Sequence, residues 1–131
     1  HTGPIGPQGK PATFGQVIFT NGVMSNNPCA SLNLGSVNSP AVLFVSLAIL
    51  VGVTAESDIK LQIVNTTTNA LIDQKMIHVQ PSSLRSYSLT HLSLIAANDP
   101  VTVRVIGDAN VNVYGGTDYA SWNHLTGMRW A

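Results

Sequence analysis

The chain has 131 residues, 44% of them hydrophobic and only 9% charged, and its formal net charge is zero. Since an ordinary soluble protein carries roughly 25% charged residues and binds nucleic acid or anionic membranes through a basic surface, this composition disfavours both of those partners. Ser, Thr and Asn take the place of the missing charge and tolerate burial between subunits better than Lys or Glu, so the composition favours an oligomer.

The first predicted element is a collagen-like tract in residues 1–12. Three triplets stand in strict G-X-Y register from Gly3 to Pro11. Only glycine fits at the crowded axis where three polyproline-II chains wind together, so we predict Gly3, Gly6 and Gly9 as collagen-axis glycines, with a plain linker as the alternative. Because the register begins at the first residue and stops at Ala12, we expect a longer stalk upstream and a head in residues 13–131.

Beyond residue 12 the apolar residues recur at every second position, which is the period of a half-buried β-strand. Val17 and Phe19 show this alternation near the start of the head, and Val111 and Val113 show it later in the chain. It also predicts strands at three further sets of positions: Ile59, Leu61 and Ile63; Tyr87, Leu89 and His91; and Val101, Val103 and Val105. A polar loop at 65–69 predicts a hairpin whose return strand is Leu71–Val79.

Two segments allow more than one interpretation. The run Ala41–Val53 is too short to span the roughly 20 residues of a membrane core, so we interpret it as one buried strand or as two strands with a bend near Gly52. Residues 84–97 could be read as helical, but Pro81 and Pro100 bracket them and their Ser, Thr and Tyr content favours a strand. Short strands with turn signals about every ten residues predict an all-β jelly-roll sandwich.

A collagen-like tract followed by such a head resembles the complement-type and tumour-necrosis-factor-like jelly rolls, and within them the collagen-like exosporium glycoproteins of bacterial spores. The resemblance is carried by 92–105, LSLIAANDPVTVRV, with an apolar strand, a polar turn with Asp and an alternating strand. Asn98 stands where the family usually has Gly, and Asn can also adopt a left-handed turn. The ending 120–130, ASWNHLTGMRW, resembles the final strand that lies beside the first.

The resemblance implies a homotrimer at the end of a filament, exposed outside the cell or particle. We therefore expect a structural surface-filament protein whose head trimerises and caps a collagen-like stalk on a spore exosporium or appendage. The alternative is a receptor-binding or adhesion tip of a phage fibre or bacterial adhesin. We expect no membrane insertion.

No catalytic or metal-binding motif is visible, so we expect no enzyme, no catalytic residues, no metal and no cofactor. The acidic residues fall mainly at turns, where Asp bonds nearby backbone amides. Threefold symmetry could still bring copies of one side chain to an axis, and the positions for that hypothesis are His78, His91, Asp108 and Asp118. The single cysteine, Cys29, cannot form an intrachain disulfide.

Four of the eight aromatic residues lie in the last eighteen positions: Tyr114, Tyr119, Trp122 and Trp130. Exposed Trp and Tyr supply large contact area at low entropic cost, so one interpretation is a carbohydrate or receptor platform. The interpretation that we favour is packing of the terminal strands against a neighbouring subunit.

We expect the head to nucleate the stalk, because aligning three chains has a large entropic cost that a preassembled trimer has already met. Triplets fused to this head should show a triple-helical circular-dichroism signal and refold rapidly, and the same triplets alone should do neither. Equally fast refolding of the isolated triplets would contradict this order.

Overall fold

The computed structural model describes residues 13–19, 22–23, 30–108, 110–115 and 123–130. Every regular element within those residues is a β-strand, so the described part confirms the prediction of an all-β head. The predicted collagen-axis glycines Gly3, Gly6 and Gly9 lie outside the described residues. The strands are β1 Thr13–Ile18, β2 Gly22–Val23, β3 Ala30–Gly35, β4 Ala41–Val53, β5 Ser57–Asn65, β6 Leu71–Val79, β7 Ser82–Ile95, β8 Val101–Gly107, β9 Val111–Val113 and β10 His124–Trp130.

The strands form two antiparallel sheets. In sheet A, β7 pairs with β4 along its whole length, and β10 and then β9 pair with the other edge of β4. The outer strands on that side are β1 beside β10 and β2 beside β9. Sheet B has the order β3-β8-β5-β6. Without the short β2 and β9, the orders β1-β10-β4-β7 and β3-β8-β5-β6 are those of a jelly roll, as predicted.

The two ambiguous segments are both strands. Ala41–Val53 forms the single strand β4, so the alternative of a bend near Gly52 is wrong. Residues 84–95 lie within β7, which confirms strand over helix. The turn predicted at Asn98 is also confirmed, since that residue has a φ of 66°, in the left-handed region.

The core lies between the inner faces of the two sheets. Alternate residues of the long strands point inward, and those of β4, β5 and β8 are almost completely buried. Branched aliphatic side chains dominate this layer, as expected for strands that are packed on a pleated surface. The inward residues include Leu43, Val45, Leu47, Ile59, Leu61, Ile63, Val101, Val103, Val105 and Leu125.

A pair of glycines lets the sheets approach closely on the side formed by β1, β10 and β3. Gly15 and Gly127 are direct cross-strand partners. A Cβ added at Gly15 would lie 2.6 Å from Leu32 Cδ1, and one added at Gly127 would lie 2.9 Å from Leu34 Cδ1. Side chains at these two positions would displace the leucines of β3, so the glycines allow this side of the sandwich to close.

Arg129 closes the sandwich at the end where β1 begins and β10 ends. Its side chain is fully buried, and Nη1 donates to the carbonyl of Gly35 while Nη2 donates to that of Ala96 at 3.4 Å. Burial lowers the pKa of the Arg129 guanidinium, and the charge of Asp99 acts in the opposite direction. The buried cation thus connects β10 with the last residue of β3 and with the loop that follows β7.

Replacing Val103 with Asp should unfold the head or lower its melting temperature sharply, because Val103 is completely buried in the core. An unpaired buried carboxylate costs several kcal/mol, on the order of the total stability of a small domain. Thermal melts followed by circular dichroism test this, with Ser31→Asp on the exposed face of the same sheet as the control. An unchanged melting temperature for Val103→Asp would contradict the assignment of this inward face.

Candidate functional site

The outer face of sheet A carries a continuous apolar surface near the chain ends. Cross-strand register aligns Trp130, Val42 and Leu94 in one row. The next row aligns Phe14, Met128, Phe44 and Leu92 across all four main strands. Four of these seven side chains are exposed, and Leu92 and Leu94 are 66% and 70% exposed. We call these seven residues the apolar platform.

A polar band borders the apolar platform along the same face. The third row aligns Gln16, Thr126, Ser46 and Thr90, and Gln16 Nε2 donates to Thr126 Oγ1 at 3.1 Å. Neutral hydroxyls and amides can be buried between subunits at lower cost than charges. The face therefore combines an apolar area with an uncharged polar border.

The outer face of sheet B is different, because polar and charged side chains cover its centre, although Met76 is exposed on this face at the edge strand β6. Arg104 Nε donates to Gln62 Oε1 at 2.8 Å, and Gln62 Nε2 donates to Gln74 Oε1 at 2.7 Å. Ser31 and Asn33 are exposed on β3 beside them. This face is an ordinary solvated surface, so the apolar platform distinguishes one side of the sandwich from the other.

The edge of the sandwich formed by β6 and β7 is open. No strand among the described residues pairs with the outer edge of either strand. Large apolar side chains are exposed along these strands at Leu71, Ile72, Met76 and Leu84. Between the sheets at this edge, Nε2 of the buried His91 lies 3.1 Å from Oδ2 of Asp73. We call this side the open edge.

Asn123 holds the strand ends together at the far end of β4. The residue is completely buried. Its Oδ1 accepts from the backbone N–H of Leu50, its Nδ2 donates to the carbonyl of Tyr114, and its own carbonyl accepts from the N–H of Phe19. One buried amide thus connects β4 with the segments that follow β1 and β9, and sequence reasoning gave it no role.

A small ionic cluster lies at one end of sheet B. His78 Nδ1 is 2.8 Å from Asp58 Oδ1, and its Nε2 is 3.9 Å from Glu56 Oε2. Asp108 Oδ2 accepts from the N–H of Asp58 at 3.0 Å. Hydrogen bonding to Asp58 is the main cause that raises the pKa of His78; desolvation acts in the opposite direction, and the charges of Asp58 and Glu56 raise the pKa further.

The described positions that were proposed for an axial site lie in two different places. His78 and Asp108 both contact Asp58, whereas His91 is buried between the sheets. Asp118 and Cys29 lie outside the described residues. Among the residues that are described, no group of three or more His, Cys, Asp and Glu side chains is placed to hold a metal ion. The described chain also has no helix long and apolar enough to cross a membrane.

The predicted aromatic set is divided between the two ends of sheet A. Trp130 belongs to the apolar platform, and Tyr114 follows β9 near the other end of β4. Tyr119 and Trp122 lie outside the described residues. Sequence reasoning missed most of the apolar platform, although one signal was present: both phases of β4 are apolar around Val42 and Phe44.

Comparison with known proteins supports the fold. No protein-family model matches the sequence, and no curated protein matches it. Among solved structures, the Eiger TNF from S. frugiperda aligns over 92% of this chain and 94% of that chain, with a TM-score of 0.55 and 9% identity. The dimeric latent PorU from Porphyromonas gingivalis aligns over 99% of this chain but only 14% of that chain, with a TM-score of 0.50 and 7% identity. The head is thus a jelly-roll sandwich of the tumour-necrosis-factor-like type.

We expect His78 to titrate above its ordinary pKa of 6.5, and Asp58→Asn to bring its pKa down toward that value. Since the folded-state pKa is raised, the stabilisation from this pair is complete below the unfolded pKa and is lost as the pH rises through the folded pKa. NMR titration of the imidazole protons measures the shift, with Gln74→Ala as a control that leaves the pair intact. A pKa of His78 at or below 6.5 in the unmodified chain would refute the contact.

Proposed function

We propose that this chain is a homotrimerising head that caps a collagen-like stalk in a structural surface filament. The apolar platform is the observation that carries the proposal. Seven large apolar side chains in two aligned rows are more than a monomeric soluble surface usually exposes in one place. A second copy of the chain would remove them from water.

A ring explains the distribution of apolar side chains better than a face-to-face dimer does. A twofold dimer uses one patch that pairs with itself, whereas a ring uses two different patches on each subunit. The head has two such patches: the apolar platform on sheet A, and the open edge with Leu71, Ile72, Met76 and Leu84. Packing the open edge of one subunit against the apolar platform of the next would cover both.

The position of the chain ends supports a stalk at one end of the head. The first residue of β1, Thr13, pairs with Arg129 near the end of β10. Phe14 and Trp130 belong to the apolar platform, so three chains assembled through that surface would enter the trimer close together. Triplets at residues 1–12 would then be aligned at the base, as a collagen-like helix requires.

The wider role is proposed on the sequence resemblance and on the low charge of the chain. We propose a position outside the cell or particle, of the spore exosporium or appendage type, with no catalytic activity. The second candidate is a receptor-binding or adhesion tip of a phage fibre or adhesin. A polar cleft beside Gly52 and Tyr114 favours this candidate.

The full chain should sediment as a trimer, with three times the 13.8 kDa mass of one chain, at micromolar concentration. A chain of residues 13–131 should do the same, because the apolar platform and the open edge lie in the head. Analytical ultracentrifugation of both proteins measures this. A monomeric or dimeric mass for either would contradict the proposed trimer.

Leu92→Lys should weaken the trimer by at least about tenfold, since it places a charge in the desolvated centre of the interface. Ser31→Lys, on the polar face of sheet B, is the matched control and should leave the mass unchanged. Circular dichroism separates loss of assembly from loss of folding. Equal trimer stability for the two variants would place the interface elsewhere.

A further inference from the structure

The outer face of sheet A ends in a polar cleft at the opposite end from the apolar platform. The cleft has a volume of about 250 Å³. Its described lining contains hydroxyl and amide side chains, one aromatic ring and one valine: Gly52, Val53, Thr54, Ser82, Ser83, Asn112 and Tyr114. No charged side chain belongs to that described lining.

A backbone irregularity builds the cleft. The register of β4 with β7 shifts between Val51 and Val53, so β7 carries an extra residue opposite Gly52. A Cβ added at Gly52 would lie 2.5 Å from the carbonyl oxygen of Ser83 and 3.1 Å from the ring of Tyr114. Only glycine therefore allows the bulged strand and the aromatic ring to approach each other here. Bulges of this kind often shape binding sites.

The chemistry of the lining selects a class of ligand. Ligand sites combine an apolar or aromatic surface with a few convergent polar groups. Here Tyr114 supplies the aromatic surface, while Thr54, Ser83 and Asn112 supply neutral donors and acceptors. Ser82 adds a buried hydroxyl that has no hydrogen-bond partner among the described residues. Because the described lining has no charged side chain to balance the charge of an ion, its hydroxyl and amide groups fit a neutral polyhydroxylated molecule.

We propose that this cleft binds a neutral sugar unit of a glycan. An anionic sugar would find no cationic partner for its carboxylate among the described lining residues, and an unpaired carboxylate is costly. The size of the cleft limits the bound portion to about one monosaccharide, so further units of a glycan would extend into solvent.

The position of the cleft suits a recognition site. Ten residues of β4 separate Val42 in the apolar platform from Gly52 in the cleft, which corresponds to about 33 Å at roughly 3.3 Å per residue. The chain enters and leaves the head at the apolar platform. If the head stands on a stalk, the cleft therefore faces away from it. Binding of a sugar itself does not depend on trimer formation.

The test is a glycan array probed with the full 131-residue chain, followed by titration calorimetry with the best neutral mono- or disaccharide. We expect binding to neutral glycans that Asn112→Ala and Thr54→Val each weaken by about tenfold, the effect of losing one or two hydrogen bonds to the ligand. Gln74→Ala, which removes an exposed amide on sheet B, is the matched control and should bind like the unmodified chain.

Absence of binding to every neutral glycan would overturn the proposal, as would binding that requires a sialic acid or that both cleft variants leave unchanged. Melting temperatures of all variants are measured in parallel, and Thr54→Val provides a second, exposed position if Asn112→Ala does not fold. Sedimentation of the same samples keeps the two proposals separate. A monomer that binds neutral sugar would refute the trimer alone, whereas a trimer that binds none would refute the cleft alone.

Discussion

The rest of the structure depends on the burial of the inward side chains of β4 beneath sheet B. Strands with one solvated face alternate apolar and polar residues, whereas strands covered on both faces are apolar throughout. In β4 the inward residues such as Leu43 and Val45 are covered by sheet B. The outward Val42 and Phe44 face away from the core, beside Leu92 and Leu94 of β7. Within one chain only the inward set is completely buried, and the outward set belongs to the surface that we propose for trimer formation.

The side of the sandwich formed by β1, β10 and β3 is closed more tightly than the side formed by β6 and β7. Two glycines determine this difference. Gly15 and Gly127 let β3 approach β1 and β10. Among the described residues, no such pair of glycines lies on the side formed by β6 and β7. At that open edge the buried His91 meets Asp73, and apolar side chains such as Leu71 remain exposed among the described residues. Lys75 and Arg85 are also exposed on these strands, and the outer backbone edge of neither strand is paired within the described part of the chain.

The two ends of sheet A carry different kinds of side chain. The end near Thr13 and Trp130 is apolar and is closed internally by the buried Arg129. The other end is polar, organised by the buried Asn123 and opened by the bulge opposite Gly52. The surface that we propose for trimer formation and the cleft that we propose for sugar binding therefore lie at opposite ends of one sheet. The aromatic residues follow the same division, since Trp130 and Tyr114 lie at opposite ends.

The sequence by itself determined the all-β class, the hairpin of β5 and β6 and the core strand at Val101–Gly107. These three follow from local information, because alternation with a period of two and turn residues act within a few positions. The turn at Asn98 and the pairing of the first and last strands were implied by the family resemblance instead. The apolar platform, the Arg129 and Asn123 contacts and the cleft at Gly52 were decided only by the tertiary structure. Each of them joins residues distant in the chain, such as Phe14 with Leu92 or Gly35 with Arg129, and their meeting depends on strand order and register. A one-residue change in register would send the same side chains to opposite faces, and no local pattern specifies which strands become neighbours.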